Sequence, residues 1–174
     1  MSATPDIATL FSAGNGLPPT DGRADDGLVF ETPLLNELRD TWQALLNGRT
    51  MPSRADFTMR VLKPWIRNVT IMDVVEDGPT RRYRHRFAGS ALVEIFGEQT
   101  GKFLEDFIKP DRLALWNAGY GAVCVAKRPL RFFVPFTMPR ADYLRTESMM
   151  IPLSNDGAAV NMLLAVSYFS SKAS

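Results

Sequence analysis

Residues 69–89, VTIMDVVEDGPTRRYRHRFAG, decide the fold of this chain. The first half of the stretch is rich in β-branched residues, which favour strands, and it ends at the turn sequence Asp77-Gly78-Pro79. The second half alternates basic residues with apolar or aromatic ones, a period that is typical of an extended chain. The stretch therefore predicts a β-hairpin.

The second strand of this hairpin has two chemically different sides, because successive side chains of a strand point to opposite faces. One side carries aromatic rings and the single histidine of the chain: Tyr83, His85 and Phe87. The other side carries three arginines: Arg82, Arg84 and Arg86. We interpret the arginine side as a solvated face with salt bridges to acidic residues of the adjoining strand.

His85 titrates near neutral pH in its unperturbed state, and a position between two aromatic residues suggests several roles. It is a candidate ligand contact, metal or haem ligand, catalytic base, or hydrogen-bonded core residue. The histidine alone does not separate these alternatives.

Composition limits the class of protein. A chain of 174 residues with 45% hydrophobic content is long enough to bury a core. Twenty Lys and Arg against 19 Asp and Glu leave a formal charge of +1, so no nucleic-acid partner is expected. Cys124 is the only cysteine, which excludes an internal disulfide, and no stretch is apolar enough to predict membrane insertion. We expect a cytoplasmic protein.

The chain divides into an arm and one domain. Residues 1–30 have few large apolar side chains and are expected to form a flexible arm, and residues 31–170 are expected to form a single domain. Its first element is a helix over 33–47, which begins at Thr32-Pro33 and carries one apolar stripe. The core of the domain is expected over 69–169.

The remaining elements follow the hairpin in a fixed order. Two apolar segments, SALVEIFG and KFLEDFI, predict short helices, and a longer helix begins at Pro110 and ends before Pro129. The last third predicts three strands, over 130–136, 143–153 and 159–169. The result is an α+β fold with a five-stranded antiparallel sheet, short helices packed on one face, and an additional N-terminal helix.

This order of elements resembles that of the PAS domain family, in particular its short, single-domain bacterial members. The following local sequences carry the resemblance: Trp42, Pro52-Ser53-Arg54-Ala55-Asp56, VTIMDVVEDG, YRHRFAGS, Phe96-Gly97, Thr100-Gly101, and MMIPLSNDG followed by LLAVSYF. The similarity spans about residues 33–169, and the combination is more specific than any single piece. Two places depart from the family pattern: His85 stands where an aromatic residue is usual, and the segment after Asp56, Phe-Thr-Met-Arg, lacks the proline expected there.

The resemblance implies a sensory or adaptor module of signal transduction rather than an enzyme, with a cavity between the sheet and the short helices. A small, mostly apolar ligand, a partner signalling protein and a homodimer formed through the N-terminal helix are the expected partners. The candidate ligand-binding residues are His85, Phe87, Leu92, Phe96, Phe103, Phe107, Trp116, Tyr120, Phe132, Met149 and Ile151. Leu164 is expected to help close the cavity.

Known cofactors of the family fit the sequence poorly. The flavin-binding branch carries its reactive cysteine in an Asn-Cys-Arg-Phe motif, whereas Cys124 lies late in the long helix. Haem sensors usually take a histidine from the helix before the third strand, and only His85, on a strand, is present here. One histidine and one distant cysteine do not make a metal site. We expect no flavin and no metal, do not favour haem, and leave the ligand unidentified.

Two other functions stay open. Asp73 interrupts the apolar run IMDVV, and a buried carboxylate with a raised pKa would suit a small, cone-shaped isomerase or hydratase. That hypothesis requires Asp73 to face the cavity. A ligand-free interaction module, with an interior filled by its own side chains, is the other alternative.

Overall fold

The computed structural model describes residues 23–138 and 141–171, and the side chains of 135–144 and 171 are left out of the description. The strands are β1 Arg23–Asp25, β2 Val69–Asp77, β3 Thr80–Ala88, β4 Leu130–Met138, β5 Ala141–Leu153 and β6 Met162–Ser171. The α-helices are α1 Pro33–Leu46, α2 Met59–Leu62, α3 Ser90–Phe96 and α4 Pro110–Ala126. Short 3-10 turns lie at Arg54–Asp56, Ile66–Asn68 and Leu104–Asp106.

All strands pair antiparallel in one sheet with the order β1-β4-β5-β6-β2-β3. The predicted α+β class and PAS-like arrangement are confirmed, but the sheet of the described residues has six strands rather than five. The additional strand is β1, which pairs with β4 from within the segment expected to be a flexible arm. Residues 1–22 of that arm lie outside the described residues.

The N-terminal helix forms as the sequence predicts. Pro33 occupies the first turn of α1, where its missing N–H costs nothing, and the helix ends at Asn47 in the left-handed conformation. Leu35 and Leu38 are fully buried. The apolar stripe of α1 is therefore used to cover the sheet of its own chain.

Two apolar clusters cover the two faces of the sheet. One lies beneath α4 and includes Met72, Met150 and Leu163. The other lies beneath α1 and the 54–66 region, and it includes Ile71 and Leu164. Neighbouring residues on one strand thus belong to different clusters, as the alternation of a strand requires.

A β-bulge interrupts the hairpin. Ile71 pairs with Phe87, and the next residue, Met72, pairs with His85, so that Arg86 is left between the two pairs. An extra residue on one strand reverses which face the following side chain meets. Phe87 consequently packs in the cluster beneath α1, on the opposite face from His85.

Candidate functional site

A cavity of about 110 Å³ lies between the sheet and the helices α3 and α4. Its wall is mostly apolar and contains a few polar groups, the usual make-up of a small-molecule site. The lining residues are Thr70, Met72, His85, Leu92, Phe96, Gln99, Leu104, Phe107, Ile108, Arg112, Leu115, Trp116, Gly119, Tyr120, Phe132, Val134, Thr146, Ser148, Met150, Ala165, Ser167 and Phe169.

The structure brings most of the predicted ligand-binding residues together at this cavity. Seven of them line it: His85, Leu92, Phe96, Phe107, Trp116, Tyr120 and Phe132. The aromatic rings meet largely edge to face, for example Trp116 on Tyr120 with ring centroids 5.7 Å apart. The wall is therefore built from rigid rings contributed by strands and helices alike.

The other predicted residues lie elsewhere in the fold. Phe87 is turned away by the bulge, and Met149 and Ile151 lie in the cluster beneath α1, as does Leu164. On β5 it is Ser148 and Met150 that face the cavity, so the prediction for this strand was wrong by one residue of register.

Phe103 also lies away from the cavity. It forms a bridge with Arg84 along the outer edge of β3, and the guanidinium of Arg82 lies 3.9 Å from the centre of its ring. This ring covers the strand edge and stacks with an arginine rather than lining the interior.

His85 is a buried, neutral member of the wall. It is 5% exposed, and its ring meets Phe107 edge to face with centroids 5.0 Å apart. Burial lowers the pKa of the imidazole to about 4, so the ring carries no charge near neutral pH. Among the described residues Nδ1 has no hydrogen-bond partner. A buried polar atom in this state offers a hydrogen bond to whatever occupies the cavity.

A second polar group of the same kind lies on β5. Thr146 is 5% exposed, lines the cavity, and its hydroxyl finds no partner in the described part of the chain. Ser148, two residues further on, already forms a hydrogen bond of 2.8 Å with the hydroxyl of Ser167. Sequence reasoning missed these residues. The signal was present, since TESM, residues 146–149, alternates hydroxyl residues with others just before the apolar end of β5.

Asp73 lies on the sheet face opposite the cavity. Its carboxylate binds the guanidinium groups of Arg84 at 3.1 Å and Arg86 at 2.8 Å. It pairs with Arg84 across the hairpin, one residue beyond the pair of Met72 and His85 that faces the cavity. The expected salt bridges of the arginine face are therefore present, whereas the enzyme hypothesis needed this carboxylate inside the cavity.

Glu147 joins the sheet to the segment before α1. Its carboxylate accepts hydrogen bonds from the backbone N–H groups of Glu31 at 2.9 Å and Thr32 at 2.8 Å, and Arg131 donates to it at 2.8 Å. Burial on its own would raise the pKa of this carboxyl, but these hydrogen bonds outweigh burial and lower it. The pair of Glu147 and Arg131 is buried and fully hydrogen-bonded at its carboxylate end.

Neither Cys124 nor any acidic cluster contributes to the cavity. Cys124 is a buried residue of α4 but does not line the cavity, and burial raises the pKa of its thiol to about 11. Within residues 23–138 and 141–171, no group of three His, Cys, Asp or Glu side chains is arranged to hold a metal ion. In the same part of the chain, no helix is both long enough and apolar enough to cross a bilayer.

The match to a known family agrees with this architecture. A family model described as PAS domain matches residues 30–166. A solved structure described as an RNA-binding light-oxygen-voltage receptor is similar, with a TM-score of 0.46 and 13% identity. The similarity covers 87% of this chain and 39% of that one, so the chain spans about two fifths of the receptor chain. No curated protein matches the sequence.

Proposed function

This chain belongs to the PAS domain family, and on that premise we propose that it is a cytoplasmic sensory or adaptor module of signal transduction. It binds a small, mostly apolar molecule between the sheet and α4, and it passes the resulting change to a partner protein. Neither step involves chemical conversion of the ligand.

One observation carries this proposal. The cavity has an aromatic wall, and two side chains in that wall, His85 and Thr146, are at least nine-tenths buried with a polar atom that lacks a partner among the described residues. An unpaired buried polar atom costs about 1–3 kcal/mol. A molecule that bonds to either atom recovers part of this cost, and both atoms belong to residues of one cavity wall.

The placement of Asp73 argues against the isomerase or hydratase alternative. A general base must lie within hydrogen-bond reach of the proton that it removes. Asp73 instead faces away from the cavity and is neutralised by Arg84 and Arg86. The cavity wall itself offers His85 as a neutral imidazole, without a carboxylate to orient it.

We also propose that the protein signals as a homodimer, but the fold restricts which side of α1 could form the dimer interface. The apolar stripe of α1 packs on its own sheet, and Leu35 and Leu38 are fully buried. A dimer formed through α1 would therefore use its outer side, where Glu37, Gln43 and Ala44 are exposed. Deleting α1 would expose the hydrophobic core rather than only separate the subunits. The dimer interface is therefore better tested by light scattering of an Ala44→Arg variant.

The cavity is tested by filling it. Ala165→Met adds a flexible side chain at a buried lining position, and Ala159→Met adds the same side chain at an exposed position of the loop before β6. Amide spectra of the wild type and both variants are recorded during titration with toluene, benzamide and benzoate, and each purified protein is examined by native mass spectrometry.

We expect at least one of these probes to shift the amides of cavity residues in the wild type and in Ala159→Met. Ala165→Met should bind it more weakly, because the added side chain occupies the space of the ligand. A co-purifying molecule that is lost only from Ala165→Met would support the same conclusion. Failure of all three probes to bind the wild type would refute a ligand-binding cavity.

A further inference from the structure

We propose that the natural ligand is a small carboxylic acid, whose apolar body lies among the aromatic side chains and whose carboxylate is bound by Arg112. This inference rests on the proposed function, since it names the class of molecule that the same cavity takes. It follows from the distribution of charge in the cavity wall, which has a guanidinium at one end and no charged group in its buried part.

Arg112 belongs to the helix stripe that forms the roof of the cavity. The α4 residues that line it are Arg112, Leu115, Trp116, Gly119 and Tyr120. Their spacing of three, four, seven and eight residues from the first places them on one face of the helix. Over eight residues the stripe runs about 12 Å, with Arg112 at its N-terminal end.

The location of Arg112 follows from how α4 packs. Only residues 127–129 separate α4 from β4, and a Cβ on Gly119 would lie 3.2 Å from the ring of Phe132, so helix and strand run antiparallel in close contact. The first turn of α4 therefore lies towards the later part of β4, where Val134 pairs with Thr146. Arg112 and the unpartnered hydroxyl of Thr146 thus lie towards the same end of the cavity.

The buried part of the wall has no charge to offer a ligand. Thr146 and Ser148 are neutral, and His85 stays uncharged near neutral pH because burial holds its pKa at about 4. A charged group placed among these residues would lose its hydration without a counter-charge, which is strongly unfavourable. An ionised ligand must therefore keep its charge at the Arg112 end.

The guanidinium of Arg112 is available to bind the negative charge of a ligand. It is exposed, and it forms no ion pair with any acidic side chain of the described residues. The acid beside the lining residue Gln99 is Glu98, and its carboxylate already accepts hydrogen bonds from the N–H groups of Gln99 and Thr100. A guanidinium binds a carboxylate through two parallel hydrogen bonds, which makes a carboxylate its best-matched anion.

The cavity also limits the size of the ligand. Its volume of about 110 Å³ is somewhat below that of an engineered protein cavity, about 150 Å³, that holds benzene. One aromatic ring or a short branched chain fits this space with little rearrangement. Benzoate is therefore a suitable probe of the class, and benzamide and toluene are its uncharged counterparts.

The test compares the dissociation constants of benzoate, benzamide and toluene by amide titration of the labelled full chain. Arg112→Met removes the charge and keeps a long apolar side chain, and Arg60→Met is the matched control because Arg60 is exposed on α2, away from the cavity. Because Arg112 is exposed, its pair with a ligand carboxylate is worth about 1 kcal/mol, so benzoate should bind the wild type about fivefold more tightly than benzamide.

In Arg112→Met the preference should fall to about twofold or less, whereas Arg60→Met should retain it. Raising the ionic strength to about 1 M should reduce the preference of the wild type, because Arg112 is exposed to screening. Equal binding of benzoate and benzamide, or a preference that survives in Arg112→Met, would overturn the carboxylate inference and leave the ligand-binding cavity intact. Binding of none of the probes would overturn both.

Discussion

The burial of His85 makes the stability of the folded chain depend on pH between about pH 5 and 7, where no other side chain titrates in its unperturbed state. The chain contains one histidine, and its pKa in the fold is about 4 against an ordinary value of 6.5. As the pH falls below 6.5, the unfolded chain binds a proton that the folded chain does not. The contribution of His85 to stability is therefore complete above that pH and is lost progressively towards pH 4.

The magnitude follows from the two pKa values. Each pH unit between them costs about 1.4 kcal/mol, and integration from pH 7 to pH 5 gives a loss of about 2 kcal/mol. With a urea m-value of about 2.5 kcal/mol/M, this corresponds to a fall of roughly 0.8 M in the denaturation midpoint. Other groups add their own pH dependence, but they add it equally to a variant without the histidine.

His85→Phe is the variant that isolates this effect. The phenyl ring keeps the aromatic contact with Phe107, and the neighbouring cavity gives the larger ring room. Unlike histidine, phenylalanine cannot bind a proton. Urea denaturation at pH 7 and pH 5 gives the loss of unfolding free energy for each protein. We expect the loss to be about 2 kcal/mol larger in the wild type than in the variant. If Phe does not fit, His85→Leu gives the same comparison. Equal losses of stability in the wild type and the variant would refute the description of His85 as a buried neutral base.

Five substitutions test other parts of the structure by urea denaturation. Glu147→Gln should cost about 3 kcal/mol, because it weakens a buried and fully bonded ion pair, whereas Glu76→Gln, at an exposed site, should change stability by less than about 0.5 kcal/mol. Gly89→Ala should destabilise by more than about 2 kcal/mol, since the new Cβ would lie 2.3 Å from backbone carbonyl oxygens, but Gly121→Ala in α4 should stabilise by about 0.5–1 kcal/mol. Asp73→Asn should cost about 1 kcal/mol and leave benzoate binding unchanged, and a loss of binding would contradict its placement on the far face.

The elements of this fold could be predicted from the sequence because each depends on local signals. The Asp77-Gly78-Pro79 turn, the Thr32-Pro33 helix start and the last three strands all lie within a few residues of their predicted positions. β1 could not be predicted in this way. It is three residues long, and it forms because β4 offers an open edge that lies more than 100 residues away in the sequence.

The cavity was predicted in part. Most side chains predicted on helices line the cavity, as does His85 on the regular half of the hairpin, but Phe103 does not. Phe87 was also assigned wrongly, because the bulge at Arg86 depends on pairing with β2. On β5 both faces are apolar near Met149 and Met150, so composition does not indicate which of the two alternating sets of side chains faces the cavity. Only the position of α4 against the sheet decides it.

The alternation of β5 has a mechanical consequence for the module. Thr146 and Ser148 face the cavity, and Glu147 between them holds the backbone of Glu31 and Thr32 on the other side of the sheet. A strand this closely paired moves as a unit, so an occupant that displaces these three residues also pulls on the residues that lead into α1. We therefore expect a ligand in the cavity to shift the amide signals of Glu31 and Thr32, although neither residue lines the cavity.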